Sequence, residues 1–457
     1  MADYVCDATI DSDVAYYTAY WCLLDSLACM CLAARFPDCQ RMLGATVPGE
    51  ITDSGVRVPG TAYQLNTVEG AFNIGTLIRW LDFNDTWLAA EWGHPSDNFG
   101  GILAVADYQS RHQKNITMRD VLTAAIKAYE IQGVMALENS FNSIGLDHVI
   151  LVKLASTAVT TRLFGGNRDQ VMNAISHAFL DGHPLRTYRH APNTGSRKSW
   201  AAGDATSRGV WLAQTAMRGA MGYPSVLTAP TWGFYDVYFD GKPFSIARDY
   251  GSYVMENILF KIAFPAEFHG QTAVECAIQL HPLVVDRLDD IQRISVRTQQ
   301  SAMRIINKVG ELHNPADRDH SLQYMIAVGL IWGELKADHY EDKFAADVRI
   351  DKLRDKMDVS EAQEFSVDYL DPAKRAIANA IQIHFNDGSS TEEIRIDYPL
   401  GHRKRRDEAI PVLQKKFRDS IMTHFAPAQY EAIFEAVEDP SVLDGMAVRE
   451  FMDLWVK

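Results

Sequence analysis

Residues 118–137 read Met118-Arg-Asp-Val-Leu-Thr-Ala-Ala-Ile-Lys-Ala-Tyr-Glu-Ile-Gln-Gly-Val-Met-Ala-Leu137. Apolar residues recur there at three- and four-residue intervals, the spacing of a helix that buries one face. Ile102–His112, Val149–Leu163 and Asp169–Phe179 repeat the pattern, each rich in Ala and Leu and bounded by Gly, Asn or Asp. A run of such segments without alternating strands predicts a packed all-α domain. Further out, residues 13–36 have helical spacing closed by Pro37, Ala62–Ile78 suits a buried helix, and Ala201–Met221 resumes the pattern.

The texture changes after Tyr250-Gly-Ser-Tyr253. Ile291–Thr298 alternates as a strand does, and so do Ala380–Phe385 and Glu393–Tyr398. The latter two are joined through Asn386-Asp387-Gly388-Ser-Ser, a strong hairpin signal. A helix-rich stretch around Ser321–Leu335 lies between the strands. From Gly401 the chain reads as helix again to its end. The expectation is a mainly α protein: a large helical domain from residues 1–261, an inserted smaller α+β lid at 262–399, and C-terminal helices at 400–457 that return to the first domain.

The chain has 457 residues and a formal charge of −15, which argues against broad nucleic-acid binding. No stretch reaches the ~18 apolar residues of a membrane helix, and Met1–Cys6 lacks the basic start of a signal peptide. Five of the six cysteines, Cys6, Cys22, Cys29, Cys31 and Cys39, fall in the first 39 residues; Cys276 stands alone. None forms a C-x-x-C pair, so buried thiols in a reducing compartment are expected rather than a metal or cluster site.

Two stretches carry candidate chemistry. Arg79-Trp-Leu-Asp82-Phe-Asn-Asp85-Thr86-Trp87 places Asp82, Asp85 and Thr86 at helical spacing, where a helix would give them one face. Gly93 breaks that pattern, and Pro95 biases His94 toward an extended conformation, so a loop presenting a histidine is expected. The second stretch, 181–200, gathers Arg186, Arg189, Arg197 and Lys198 with Tyr188 and Trp200 in an acidic chain. An anion clamp and a plain solvated loop both fit it.

Trp80–Gly101, Gly145–Val159, Leu185–Arg208, Phe260–Ala277 and Asn314–Tyr324 together resemble the 2-methylcitrate dehydratases of the MmgE/PrpD superfamily, which also includes cis-aconitate decarboxylase. The resemblance covers essentially the whole chain. It implies a helical domain with an α+β lid, no metal or redox cofactor, a small tricarboxylate as substrate, no nucleic-acid or membrane partner, and a homodimer in the cytoplasm or, with a targeting segment, the mitochondrial matrix. The implied reaction is loss of water from 2-methylcitrate, with some action on citrate. A decarboxylase or isomerase of the superfamily and a non-catalytic tricarboxylate binder are the rival readings.

By resemblance, His94 is the acid–base candidate, Asp82 its orienting partner, Lys198 a carboxylate-binding lysine and Tyr324 a second acid or base. Thr86, Arg197, Lys261, His269, Gln271 and, less directly, His148 are implied to bind substrate. Plain structural readings stand beside several of these. Asp85 suits hydrogen bonding within its own turn. Tyr324, next to Met325 and Ile326, suits a core tyrosine, and Lys261 a lysine reaching the surface.

Overall fold

Six helices, Thr67–Arg79, Phe99–Arg111, Met118–Glu138, Val149–Leu163, Arg168–Leu180 and Arg197–Met217, pack on one another in the first part of the chain. The computed structural model describes residues 1–112, 114–180, 182–190, 192–371 and 373–457. Asp181 and Ala191, inside the cationic stretch, lie outside the described residues. The protein is mainly α, with a smaller α+β unit inserted in the helical one. The helical unit comprises Met1–Asn193, Arg197–Leu259 and Leu413–Lys457; the inserted unit comprises Thr194–Ser196 and Phe260–Val412.

The helix Asp13–Ala33 is buried on every side from Thr18 to Met30, which is why its apolar residues show no single stripe. Ser12 caps it by accepting from the Ala15 amide at 3.1 Å. Within the helix, Asp25 is buried and paired with Lys416 at 2.7 Å, which ties the C-terminal segment of this unit to its centre. The expected helix Ala62–Ile78 begins only at Thr67. Asn66 accepts from the Val68 and Glu69 amides, and Gln64–Leu65 pairs instead with Val56–Arg57.

Small residues set how closely the helices approach. An ideal Cβ on Gly75 would lie 2.9 Å from the Gly203 Cα, so the Thr67–Arg79 and Arg197–Met217 helices meet backbone to backbone. Thr206 fills the space beside them: its Oγ1 accepts from the Gly101 amide at 2.9 Å and pairs with Ser156 Oγ at 2.8 Å. Ser156 in turn donates to Asn98 at 2.7 Å, fixing the turn that follows His94. Gly203→Ala is expected to destabilise the protein by about 1–3 kcal/mol, read as a lower denaturation midpoint, because the Phe72 carbonyl and Thr76 amide have no room to retreat.

In the inserted unit, a four-stranded sheet has the order Met357–Glu361, Ile291–Thr298, Asn379–Phe385, Ile394–Ile396. The first pair is parallel and the others are antiparallel. Ile294, Val296, Ile381 and Ile383 share a core with Val274, Ala277 and Leu280 of the helix Gln271–Val284 and with residues of the helix Leu322–Trp332. Three of the strands stand where alternation placed them. Met357–Glu361 had no such signal, because it is a short edge strand with little burial.

Candidate active site

The Thr67–Arg79 helix stops before the acidic stretch, which corrects the expectation that Asp82, Asp85 and Thr86 share a helical face. Asp82 has φ 48°, a left-handed conformation that Asp tolerates better than most side chains. Its amide donates to the Arg79 carbonyl at 3.1 Å, so the chain doubles back on the helix end. Thr86 then pairs with Leu259, and Trp87–Leu88 pairs with Trp92–Gly93 in a short hairpin. His94 emerges extended, φ −124° and ψ 91°, as Pro95 requires.

His94 is buried, not a histidine displayed on a loop. Its Nδ1 lies 2.6 Å from the Asp85 carbonyl and 3.2 Å from Thr86 Oγ1. Its Nε2 lies 3.0 Å from Arg79 NH2 and 3.8 Å from Asp82 Oδ1. The doubled-back chain also brings Asp82 Oδ1 to 2.8 Å from Arg79 NH1. Arg79 is buried and belongs to no motif singled out in the sequence, although it stands at the start of the quoted stretch. Only the turn at Asp82 reveals it.

Behind the imidazole lies an acidic network. Asp85 accepts from Ser96 Oγ at 2.6 Å and from Tyr129 OH at 2.6 Å, and Asn84 donates to Asp97 at 2.9 Å. Asp85 thus bonds across the fold rather than within its own turn. Asp97 Oδ2 has no hydrogen-bond partner among the described residues. Burial pushes Asp85 up to about 6, against the hydrogen bonds from Ser96 and Tyr129. Burial likewise pushes Asp97 up to about 7, with Arg79 offsetting part of the rise.

A carboxyl whose folded value exceeds its unfolded one contributes stability fully below the unfolded value, here 3.8, and loses it as pH rises through the folded value, about 7 for Asp97. Asp97→Asn removes that loss. Its midpoint temperature relative to the parent is therefore expected to rise by a few degrees between pH 5 and pH 8, as thermal melts at the two pH values would record.

His148 faces His94, with ring centroids 5.7 Å apart. Among the described residues neither of its ring nitrogens has a hydrogen-bond partner, although the ring is almost wholly buried. Burial holds it well below the usual histidine range, with Arg189, Arg186 and Arg79 acting in the same sense and Asp147 against them. A buried imidazole without hydrogen bonds is costly, and a bound polar ligand would satisfy it. Gly93 makes room for Gln132: a Cβ there would lie 2.9 Å from its Nε2, whereas His148 Cδ2, at 3.5 Å, would be at ordinary contact distance.

Asp147, next to His148, is fully buried and anchors the cationic stretch. Arg189 reaches it through Nε at 2.5 Å and NH2 at 3.1 Å, and Arg186 approaches to 3.4 Å. Arg186 and Arg189 thus serve an internal carboxylate, which neither the clamp nor the solvated-loop reading anticipated. Lys198, in the first turn of the Arg197–Met217 helix, is buried.

Arg197 points elsewhere. It pairs with Asp204 at 2.9 Å, stacks on Trp200 and lines a cavity of about 340 Å³ with Lys153, His183 and Arg208. The ion pair is half-exposed.

In the inserted unit, Lys261 and His269 are buried. His269 donates from Nδ1 to Glu267 at 2.8 Å, and Tyr369 OH lies 3.2 Å from its Nε2. Burial pushes Glu267 up, but His269, His320 and Lys261 outweigh it and hold the carboxyl at about 2. Gln271 donates to the Phe264 and Ala266 carbonyls at 3.0 and 2.8 Å, so its amide stabilises a loop. The Tyr324 hydroxyl donates to the His339 carbonyl at 2.6 Å inside the core, and burial raises its pKa. These are the surroundings of the core tyrosine weighed above.

The MmgE/PrpD N-terminal domain matches residues 1–247, and the MmgE/PrpD C-terminal domain matches residues 264–439. The chain is 56% identical to a 2-methylcitrate dehydratase of Escherichia coli K12 and 57% identical to one of Cupriavidus necator, in each case over 100% of this chain and 96% of the relative. It is also 56% identical to a mitochondrial 2-methylcitrate dehydratase of Yarrowia lipolytica, over 100% of this chain and 89% of that one. With both family domains matched in order and relatives of this identity aligned along its whole length, the chain belongs to the MmgE/PrpD family.

Proposed function

We propose that this chain is a hydro-lyase that removes water from 2-methylcitrate to give 2-methyl-cis-aconitate, a step of propionate catabolism by the methylcitrate cycle. The observation that carries the reading is the buried pair His94 and His148 beside Asp82, in a chain whose full-length relatives bear that activity in their names. The reaction takes a proton from a carbon next to a carboxylate, forms the carbon–carbon double bond and expels the hydroxyl as water. Hydroxide leaves poorly, so a positioned acid–base group is needed, and fixed positive charge must stabilise the carbanion-like transition state.

In this reading His94 carries the proton, Asp82 orients it through the Arg79 guanidinium that both contact, and Thr86 and His148 bind the substrate's polar groups. Lys198 is the candidate for its carboxylates. Arg197, Gln271 and Tyr324 serve the fold. The reaction needs no metal or redox cofactor, and the six free thiols support a reducing compartment, the cytoplasm or an organelle matrix. Among the described residues no helix is long and apolar enough to cross a membrane.

The test is ultraviolet absorbance of chelator-treated protein with 2-methylcitrate. Growth of the conjugated-alkene signal is expected. Release of carbon dioxide instead of that signal would overturn the reading in favour of a decarboxylase. Citrate, lacking only the methyl, should react with a kcat/KM reduced by what ~1–3 kcal/mol allows.

We also propose a homodimer. The 219–250 segment builds an aromatic cluster around Phe234 yet leaves Met221 67% and Trp232 83% exposed, which favours burial against a second copy. Light scattering should give twice the chain mass, and Trp232→Asp should shift it toward the monomer.

A further inference from the structure

We propose that Arg79 is a positioning residue that holds His94 neutral, with its proton on Nδ1 and its Nε2 lone pair as the site that accepts a proton. The inference rests on the reading of His94 as the acid–base group and settles the direction in which it first works. A guanidinium has only donors, so its NH2, 3.0 Å from Nε2, requires a lone pair there. A backbone carbonyl has only acceptors, so the Asp85 oxygen, 2.6 Å from Nδ1, requires a proton there. The two neighbours select the same tautomer from opposite sides of the ring.

The charged and titratable groups of this unit that surround the imidazole fit that assignment. Arg79 and Asp82 come from the helix end and His148 faces the ring, while Asp147 and Arg189 lie behind His148 as an ion pair of their own. Asp147 is already engaged with Arg189. Asp82 Oδ1 lies 3.8 Å from His94 Nε2, while Arg79 holds it at 2.8 Å. Arg79 therefore acts twice: it occupies the lone pair and draws off the anion that would otherwise favour a doubly protonated ring. A substrate carboxylate offers the guanidinium another acceptor. Once the guanidinium turns to it, Nε2 is open to the carbon-bound proton. His94 thus enters the cycle as a base and becomes an acid only after accepting that proton.

The experiment is nitrogen NMR of the full-length, ligand-free protein with labelled histidine, the His94 signals being identified by their loss in His94→Gln. The parent is expected to show a neutral ring protonated on Nδ1 at pH 7.5. Arg79→Lys keeps the charge but loses the fork, and it should shift the ring toward the other tautomer or the doubly protonated form. Its kcat should fall on the order of 100-fold, with a rise in KM as well, because the fork also meets the substrate carboxylate. Asp82→Asn, which leaves Arg79 in place, should keep the Nδ1 tautomer. A parent ring protonated on Nε2 alone would overturn the proposal, as would an Arg79→Lys ring identical to the parent's. If the ring responds as expected but 2-methylcitrate gives no alkene, the assignment of the substrate fails and the role of Arg79 stands.

Discussion

Replacing His94 with Gln is expected to lower kcat for dehydration about 10²–10⁴-fold while the protein stays folded. The expected loss is large because the ring is the titratable group placed between the Asp85 carbonyl and the Arg79 guanidinium. Gln has an amide of similar reach but cannot take up a proton near neutral pH. The fold should tolerate the change, since the Arg79–Asp82 pair and the bonds of Asp85 to Ser96 and Tyr129 do not depend on the ring. The measurement is kcat and KM by alkene absorbance, beside a thermal melt. A kcat within threefold of the parent, with an unchanged melt, would remove His94 from the mechanism and leave His148 as the remaining imidazole of the pair.

Asp147→Ala should produce the largest loss of stability among the site residues, on the order of 3–5 kcal/mol. Its carboxylate neutralises Arg189 at two points and Arg186 at one, and also accepts from the Val149 amide at 3.2 Å at the start of a buried helix. Without it two largely buried guanidiniums lose their counter-ion, and His148, 3.6 Å away, loses a neighbour that favours its charged form. Burial pushes the Asp147 carboxyl up, but Arg189, His148 and Arg186 outweigh it and hold the group well below the usual carboxylate range.

The sign follows. A depressed carboxyl contributes stability above its unfolded value, near 4, and loses it as pH falls through the folded one. The deficit of Asp147→Ala should therefore be full at pH 7.5 and shrink in strong acid. Denaturant titrations at the two pH values would read it. Asp147→Asn, which keeps hydrogen bonds but not the charge, should fall between the two proteins. Equal midpoints for Asp147→Ala and the parent would mean that the arginines find other partners.

The sequence by itself determined the mainly α fold, because helical periodicity is a local signal repeated over Phe99–Arg111, Met118–Glu138 and Val149–Leu163. It determined the strand Ile291–Thr298 and the hairpin after Phe385 for the same reason, and its long motifs carried the family resemblance. The extended backbone at His94 was also legible, since Pro95 acts on the residue beside it.

What only the tertiary structure decided are the pairings. Arg79 meets His94 because Asp82 takes a left-handed turn, which no side-chain period announces. Arg189 meets Asp147 across 42 residues, which turned an apparent anion clamp into an internal ion pair. The same holds for Tyr324, whose hydroxyl finds the His339 carbonyl only once a later turn folds over it. Periodicity says which face of a segment is buried. Which donor meets which acceptor there depends on turns and distant backbone, and that is settled only when the chain is packed.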